Sequence, residues 1–529
     1  MTVQKRAMKT SAAVLCALTI AWASVVGGAG AAVAPSVDEA FDTFWKAASV
    51  AEATTAAAAV VSSGVDFDTA YARLRQGRVY AADAPRGVQR LVRHSAAGDF
   101  PYTVDVPATY DPAKRYQVRV QLHGGVMRPD PAARGDGSIG SLAGAEQIYV
   151  LPQSWAEAQW WAPPQGENLP AILDLVKRSY NVDENRVVMS GVSDGGTAAF
   201  YFAMRDTTPY ASFLPLNGHI LVLANRDLGL RGALFPHNLL NKSFFIVNGG
   251  KDRLYPAASV EPLLTHFKAG GLDLDYRPQP EAGHNTAWWP EVKDAFEGFV
   301  REHARTPHPS RLTWQTDNTT TRNRAHWLVI DRLGNARPGE ELPDLNDIRA
   351  GEEPNFGVRS IGMRVTAVMR DSNAAAFGLL PTDTVVSING RDLPLGLELT
   401  EFLGIYQPGE ALHFVVERGR ETVDLKGIYQ PTVMPRVRQL FATGLPTGRV
   451  DLVRDGNTVR ASARGVGVFR LLLSPDAFDF SKPIMVVADG KTVFNGRVQT
   501  SVETLLRWAA RDNDRTMLYG AELTITVTP

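Results

Sequence analysis

Between residues 86 and 307 the chain alternates short apolar, β-branched runs with longer segments whose apolar positions recur at helical spacing. Gln117-Val118-Arg119-Val120-Gln121-Leu122, Arg186-Val187-Val188-Met189, Ser243-Phe244-Phe245-Ile246-Val247 and Asp273-Leu274-Asp275-Tyr276 read as strands. Residues 87–93 and 102–106 read as two earlier ones. Helical patterns fall at 169–179, 196–204, 260–267 and 291–302. Strands alternating with helices predict a largely parallel sheet covered on both faces. Ligands bind beyond the carboxyl ends of such strands. Two long stretches, 127–146 and 221–241, are expected there. Trp155, Trp160, Trp161, Trp288 and Trp289 fall in the same loops, as cleft lining or as anchors for the last helix.

The pattern changes on either side. Residues 35–85 look helical, with Phe41, Phe44, Trp45 and Ala48 on one stripe and an Ala-rich run at 51–61. They read either as a cap over the cleft or as a prefix packed on the outside. After 307 the strand pattern returns, as in Leu312-Thr313-Trp314-Gln315 and at 326–330, 449–454, 458–463, 468–473, 484–488, 492–498 and 523–527. Asp455-Gly456-Asn457 and Asp489-Gly490 mark turns. These strands predict a β-sandwich interrupted by an inserted module. The expected division is 1–31 targeting segment, 32–85 helical extension, 86–307 α/β domain, 308–345 first part of the sandwich or linker, 346–430 inserted module, and 431–529 C-terminal β-sandwich.

Composition narrows the possible functions. A chain of 529 residues is long enough for several domains. Its 44% hydrophobic and 21% charged residues are those of a globular protein. With 55 basic and 56 acidic residues the net charge is −1, which argues against a nucleic-acid or anionic-membrane partner. Lys5, Arg6 and Lys9 precede an uncharged, mostly apolar run at 11–26, and Ala29-Gly30-Ala31 fits a cleavage site. The mature chain is therefore expected to start near Ala32, secreted or periplasmic, with no membrane contact beyond the export signal. An uncleaved N-terminal anchor is the alternative. The only cysteine, Cys16, lies inside this segment, so the mature chain has no disulfide, zinc-thiolate site or cysteine nucleophile.

The candidate chemistry centres on Gly191-Val192-Ser193-Asp194-Gly195, a G-x-S-x-G pattern with a strand before it and a helix-like run after it. Glycines two residues either side of the serine allow close backbone approach. The serine then stands at a helix N-terminus, which favours developing negative charge. A serine hydroxyl needs a base, and the base needs an orienting acid. Asp252 follows the strand at 243–247, and His284 follows the strand at 273–276, which gives the chain order Ser, Asp, His. Asp194 and Glu281 compete for the acid role, although Asp194 directly follows the nucleophile and is expected to point away from the base. The chain has ten histidines; of those in this region only His284 lies between the last strand and the last helix. Upstream, a strand ends in His123-Gly124-Gly125, which matches an oxyanion loop. Its donors are expected to be the N–H groups of Gly125 and Asp194, with His123 and Gly124 shaping the loop.

Residues 86–307 resemble the α/β-hydrolase superfamily, in the branch of polyhydroxybutyrate depolymerases, feruloyl esterases and prolyl-oligopeptidase-like serine hydrolases. Leu122-His123-Gly124-Gly125, Gly191-Val192-Ser193-Asp194-Gly195-Gly196, Gly250-Lys251-Asp252 and Gly283-His284 carry the resemblance. It implies a Ser193–His284–Asp252 triad and needs no metal or cofactor. Prolyl-oligopeptidase-like members usually carry a large propeller first, whereas only about 50 mature residues precede the domain here.

Residues 346–430 resemble a PDZ domain. Ser360-Ile361-Gly362-Met363 is similar to its carboxylate-binding loop, with Ile361, Gly362 and Met363 as the binding residues. Val365-Thr366-Ala367-Val368, then 373–379 and 383–390 with the tight-turn pair Asn389-Gly390, follow the bacterial pattern. Thr382 departs from it, since a glycine usually precedes the aspartate. The resemblance implies capture of a peptide C-terminus by strand addition; the alternative is a groove left vacant or filled by this chain itself. Three functions follow: a hydrolase of small-molecule or polymer esters, a serine peptidase, or a non-catalytic peptide-binding protein.

Overall fold

The computed structural model describes residues 35–128, 138–230, 234–335, 344–393, 398–442 and 444–527. The expected targeting segment, with Cys16, lies outside them, as do 129–137 and 231–233 of the two long stretches. Among the described residues no helix is long and apolar enough to cross a membrane.

Three helices come first, α1 (Val37–Lys46), α2 (Val50–Ser62) and α3 (Phe67–Gln76). Each starts on a side chain that accepts a first-turn N–H: Ser36, in a reciprocal capping box with Glu39, then Ser49, then Asp66. Their apolar stripe, with Phe41, Phe44, Ala53, Val60 and Leu74, closes on Leu505, Leu506, Ala509 and Ala510 of a later helix, Val502–Asp512. The prefix therefore packs against the C-terminal part of the chain.

An eight-stranded sheet follows: β1 (Gly87–Ser95), β2 (Gly98–Val106), β3 (Tyr116–Leu122), β4 (Ile148–Pro152), β5 (Val182–Val192), β6 (Ser212–Leu216), β7 (Ser243–Ile246) and β8 (Leu274–Tyr276). The spatial order is β1-β2-β4-β3-β5-β6-β7-β8. β2 runs antiparallel to both neighbours, and all other neighbouring pairs are parallel. This sheet and its helices fit the α/β-hydrolase architecture expected from the sequence. Strand alternation builds the layers. Val187, Met189, Phe244 and Ile246 face α4 (Pro163–Ser179), α5 (Asp194–Arg205) and α6 (Ala257–Ala269). Val188 and Phe245 face the opposite side, against α7 (Trp289–Glu302). Trp288 and Trp289 are buried in that second layer, with the Trp289 indole N–H on the Ala143 carbonyl at 3.0 Å, so they anchor α7.

Two further sheets share one apolar core. The first orders Arg324–Ala325, Leu328–Leu333, Val466–Leu473 and Ala521–Thr526; the second orders Lys491–Gly496, Ile484–Ala488, Thr458–Arg464, Gly448–Asp455 and Arg311–Thr316. Strands from before residue 334 thus pair with strands after 447. A third sheet between them has its own core around Phe356, Phe377, Phe414 and Tyr429. It orders Val358–Ile361, Arg364–Val368, Thr384–Ile388, Ala411–Arg418 and Glu421–Ile428. An antiparallel ribbon, Asp347–Asn355 with Thr432–Gln439, leads to it. The base of the ribbon is docked: Leu345, Leu440 and Phe441 are buried in the α/β core.

One expectation is corrected here. Ile361, Gly362 and Met363 do not form a loop ahead of an open strand edge. Ile361 pairs with Arg364, and Gly362, at φ 57°, turns a tight hairpin. The carbonyls of Gly362 and Met363 accept the N–H groups of Leu399 and Val385. One edge of this sheet is the preceding strand, Val358–Ile361, beside the short helix Leu399–Leu403.

The α/β sheet and the C-terminal sheets are joined by buried ion pairs from one segment, 512–515. Arg305, just past α7, holds Asp514 at 2.7 Å, and Arg515 holds Glu184 on β5 at 2.6 Å, while Arg324 holds both oxygens of Asp512 at 2.6 and 2.7 Å within the C-terminal part. Burial opposes the charge on Asp514, but Arg305 and Lys177 outweigh it and hold its carboxyl well below the usual range. Such a group stabilises the fold above its unfolded pKa of about 4, and the contribution fades as pH falls below that. Asp514→Asn is expected to cost about 3–5 kcal/mol at neutral pH. In urea titrations the gap to the parent protein should hold down to about pH 4 and narrow below it.

Thr382 has φ 85°, a left-handed conformation that a β-branched residue rarely adopts. Thr382→Gly should relieve this strain and raise stability by about 1 kcal/mol despite the added chain entropy, measurable as a rise in Tm.

Candidate active site

The turn at Ser193 is forced by close backbone contact. β5 ends at Val192, α5 starts at Asp194, and Ser193 between them sits at φ 57°, ψ −119°. A Cβ on Gly191 would lie 2.1 Å from the Gly195 carbonyl oxygen, and one on Gly195 would lie 2.3 Å from that of Leu122. Only glycine fits at either position. The Ser193 N–H donates to Leu216 on β6 at 2.9 Å, which ties the turn to the sheet.

The same device aligns the two loops after β7 and β8. A Cβ on Gly249 would meet the Ala282 carbonyl at 2.5 Å, and one on Gly250 the Pro280 carbonyl at 2.4 Å. The loops hydrogen-bond through Gly250 N–H to Gln279, Gln279 N–H to Asn248 and Lys251 N–H to Ala282, at 2.8–2.9 Å. They extend the parallel pairing past the strand ends. Asp252 and His284 are brought together by this register. The Asn217 amide donates to the Asn285 carbonyl at 2.8 Å and fixes the far side of the histidine loop.

Ser193, His284 and Asp252 form one hydrogen-bonded row. His284 Nε2 lies 2.9 Å from Ser193 Oγ, and Nδ1 lies 2.7 Å from Asp252 Oδ2. A carboxylate only accepts, so Nδ1 carries the proton and Nε2 accepts from the serine hydroxyl. Asp252 is buried, and its Oδ1 accepts the N–H groups of Leu254 and Tyr255 at 2.8 and 3.0 Å. Burial alone would raise its pKa; the Tyr255 N–H, the His284 ring and the Leu254 N–H together lower it, so it stays ionised. Of the competing carboxylates, Glu281 pairs with Lys251 at the surface, and Asp194 is engaged with the N–H groups of Gly125 and Val126.

The loop His123-Gly124-Gly125 lies against the serine. A Cβ on Gly124 would be 2.7 Å from Ser193 Cβ. His123 is a wedge that shapes the loop. Its Nε2 accepts the Ser154 N–H at 3.0 Å, its Nδ1 lies 3.0 Å from the Gly124 carbonyl, and its own carbonyl accepts the Trp160 indole N–H at 2.9 Å. Trp160 is thus a buried prop rather than cleft lining. The Gly125 N–H, expected as an oxyanion donor, donates to Asp194 Oδ2 at 2.8 Å, and the Val126 N–H donates to the same oxygen at 3.0 Å.

Two aromatic neighbours carry no sequence signal. The Tyr255 ring stands edge-on to His284 at 5.6 Å, and His219 lies against Tyr255 at 5.9 Å. Burial, with the Asp194 and Asp252 carboxylates, pushes the Tyr255 hydroxyl pKa up; burial pushes His219 down. A cavity of about 280 Å³ opens beside Gly124 and Val192, walled by Leu122, Ile139, Leu142 and Leu151. A larger cleft of about 980 Å³ lies between α4, α5 and Arg324, and none of the three aligned side chains lines it, so size does not locate the chemistry. Among the described residues no group of three or more His, Cys, Asp or Glu side chains could hold a metal.

No protein-family model and no curated protein matches this sequence. Solved structures similar to it include a thermostable esterase, at 18% identity over 42% of this chain and 64% of that one, with a TM-score of 0.34. The apo form of Thermogutta terrifontis esterase 2 matches at 16% over 42% of this chain and 98% of that one, TM-score 0.33. A ferulic acid esterase matches at 16% over 40% and 97%, TM-score 0.33. The chain spans just under two thirds of the first of these. At these scores the likenesses name no substrate for this chain.

Proposed function

We propose that this chain is an exported serine hydrolase acting on carboxylic esters through an acyl-enzyme. The observation that carries the reading is the unbroken row Ser193 Oγ, His284 Nε2, His284 Nδ1, Asp252 Oδ2, with both contacts below 3 Å. Ser193 attacks the ester carbonyl carbon as His284 takes its proton. Asp252, held ionised, fixes the tautomer and stabilises the imidazolium. The oxyanion is taken by backbone N–H groups, those of Asp194 at the start of α5 and Gly125 in the loop. His284 then protonates the departing alcohol. Water, deprotonated by the same histidine, attacks the acyl-enzyme and releases the acid.

The wider organisation belongs to the same proposal: an α/β catalytic domain at 86–307, a β-sandwich built from 308–345 and 431–529, and a PDZ-like module at 346–430 between its parts. The edge strand Val358–Ile361, preceded by Gly357 at φ 90°, favours peptide addition there rather than at Ile361–Met363.

Ser193→Ala is expected to abolish labelling by a fluorophosphonate and hydrolysis of p-nitrophenyl esters while its circular dichroism stays that of the parent protein. Labelling that survives in this variant refutes the assignment. A parallel assay with an aminoacyl amide separates esterase from peptidase, and faster amide turnover would favour the peptidase. Asp252→Asn keeps the shape but removes the charge that sets the His284 tautomer. It is expected to lower kcat roughly 10⁴-fold with KM little changed.

A further inference from the structure

Two adjacent backbone N–H groups, those of Gly125 and Val126, converge on a single anionic oxygen, Asp194 Oδ2, at 2.8 and 3.0 Å. Converging backbone N–H groups of this kind hold a negatively charged oxygen, and the Gly125 N–H is one of the two donors that the proposed mechanism gives to the tetrahedral oxyanion. The loop that supplies it lies against Ser193, with the Gly124 Cβ position 3.2 Å from the serine Oγ. The oxygen belongs to the residue that follows the nucleophile, at the first position of α5, where the helix dipole also favours negative charge. We infer that the Asp194 carboxylate is a resident occupant of the oxyanion pocket, and that productive binding of an ester requires it to leave. This rests on the serine-hydrolase reading and adds a regulatory step to it.

The chemistry favours the occupant before attack and the substrate after it. An ester carbonyl oxygen is neutral, so a carboxylate outcompetes it for the Gly125 N–H. Once Ser193 adds to the carbonyl, the substrate oxygen carries a full negative charge and competes on equal terms. The free enzyme is therefore held mostly in a closed state. Its apparent reactivity is reduced by the fraction that is open, and a minor state of this kind is commonly populated at about 0.1–10%. No covalent change is involved; one side chain turns away and its hydrogen bonds pass to the substrate.

Asp194→Ala removes the occupant and leaves the backbone N–H in place, and Asp194→Asn keeps the shape with a neutral, weaker acceptor. The rate constant for fluorophosphonate labelling of Ser193 and kcat/KM for p-nitrophenyl acetate would be measured on the full-length chain and both variants, with circular dichroism as a check on folding. Both rates are expected to rise about tenfold or more in Asp194→Ala and by less in Asp194→Asn. If the parent protein labels and neither folded variant gains, the gate is overturned, the carboxylate is only a loop anchor, and the hydrolase reading stands. If neither the parent protein nor either folded variant labels at Ser193, both fall. Should Asp194→Ala fail to fold, Asp194→Asn decides alone: a gain supports the gate, and an unchanged or lower rate overturns it.

Discussion

At four positions around the candidate site a backbone carbonyl occupies the place where a side chain would begin. Gly191, Gly195, Gly249 and Gly250 each have a carbonyl oxygen within 2.1–2.5 Å of the Cβ they lack. Such distances are possible only for glycine, so the constraint is absolute at these points. The first pair brings the turn at Ser193 close against β3. The second pair locks the Asp252 and His284 loops together through three backbone hydrogen bonds. The hydrogen-bonded row depends on both, since neither Asp252 nor His284 is neighbour to Ser193 along the chain. Side-chain chemistry is placed here by backbone packing, and the polar contacts finish what that packing starts.

This explains which parts were legible in the sequence. A strand, a glycine-flanked serine and a helix form a local unit, so the elbow could be read directly. Asp252 and His284 could be read too, because each follows an apolar run ending in a glycine-containing loop. That the two loops share a register could not be read, since it depends on contacts between residues about 30 positions apart. Directions of short side chains were also hidden. Asp194 was expected to point away from the base, but nothing in the spacing aimed it at Gly125 and Val126. Tyr255 had no signal, as a lone aromatic in a loop reads the same whether it covers a histidine or the surface.

The inserted sheet shows the reverse case, a pattern with two structural solutions. An apolar residue, a glycine and another apolar residue suit both a loop ahead of a strand and the turn of a hairpin. At Ile361-Gly362-Met363 the hairpin wins, because Val358–Ile361 supplies a strand on one side and Arg364–Val368 on the other. Thr382 was readable as a departure, and its backbone still takes the glycine-like conformation. The fold of this sheet thus outweighs the preference of one residue. The helix Val502–Asp512 was missed for a related reason. It lies among strand patterns, and much of its apolar stripe packs on helices more than 400 residues earlier in the chain.

Buried charge and the candidate chemistry occupy opposite ends of one strand. Glu184 near the start of β5 holds Arg515, while Ser193 follows its last residue. Nine residue-to-residue steps of chain separate them, roughly 30 Å at about 3.3 Å each. β5 is paired on both sides along its later half, to β3 and β6. A strand held in this way has no second register to adopt, because a one-residue slip would turn Val187 and Met189 out of one apolar layer and Val188 out of the other. Disturbance at the ionic seam is therefore expected to stay there as lost stability rather than reach the serine as altered geometry. Control over the serine has to come from its own end of the strand, where the carboxylate of Asp194 already sits on the loop N–H groups.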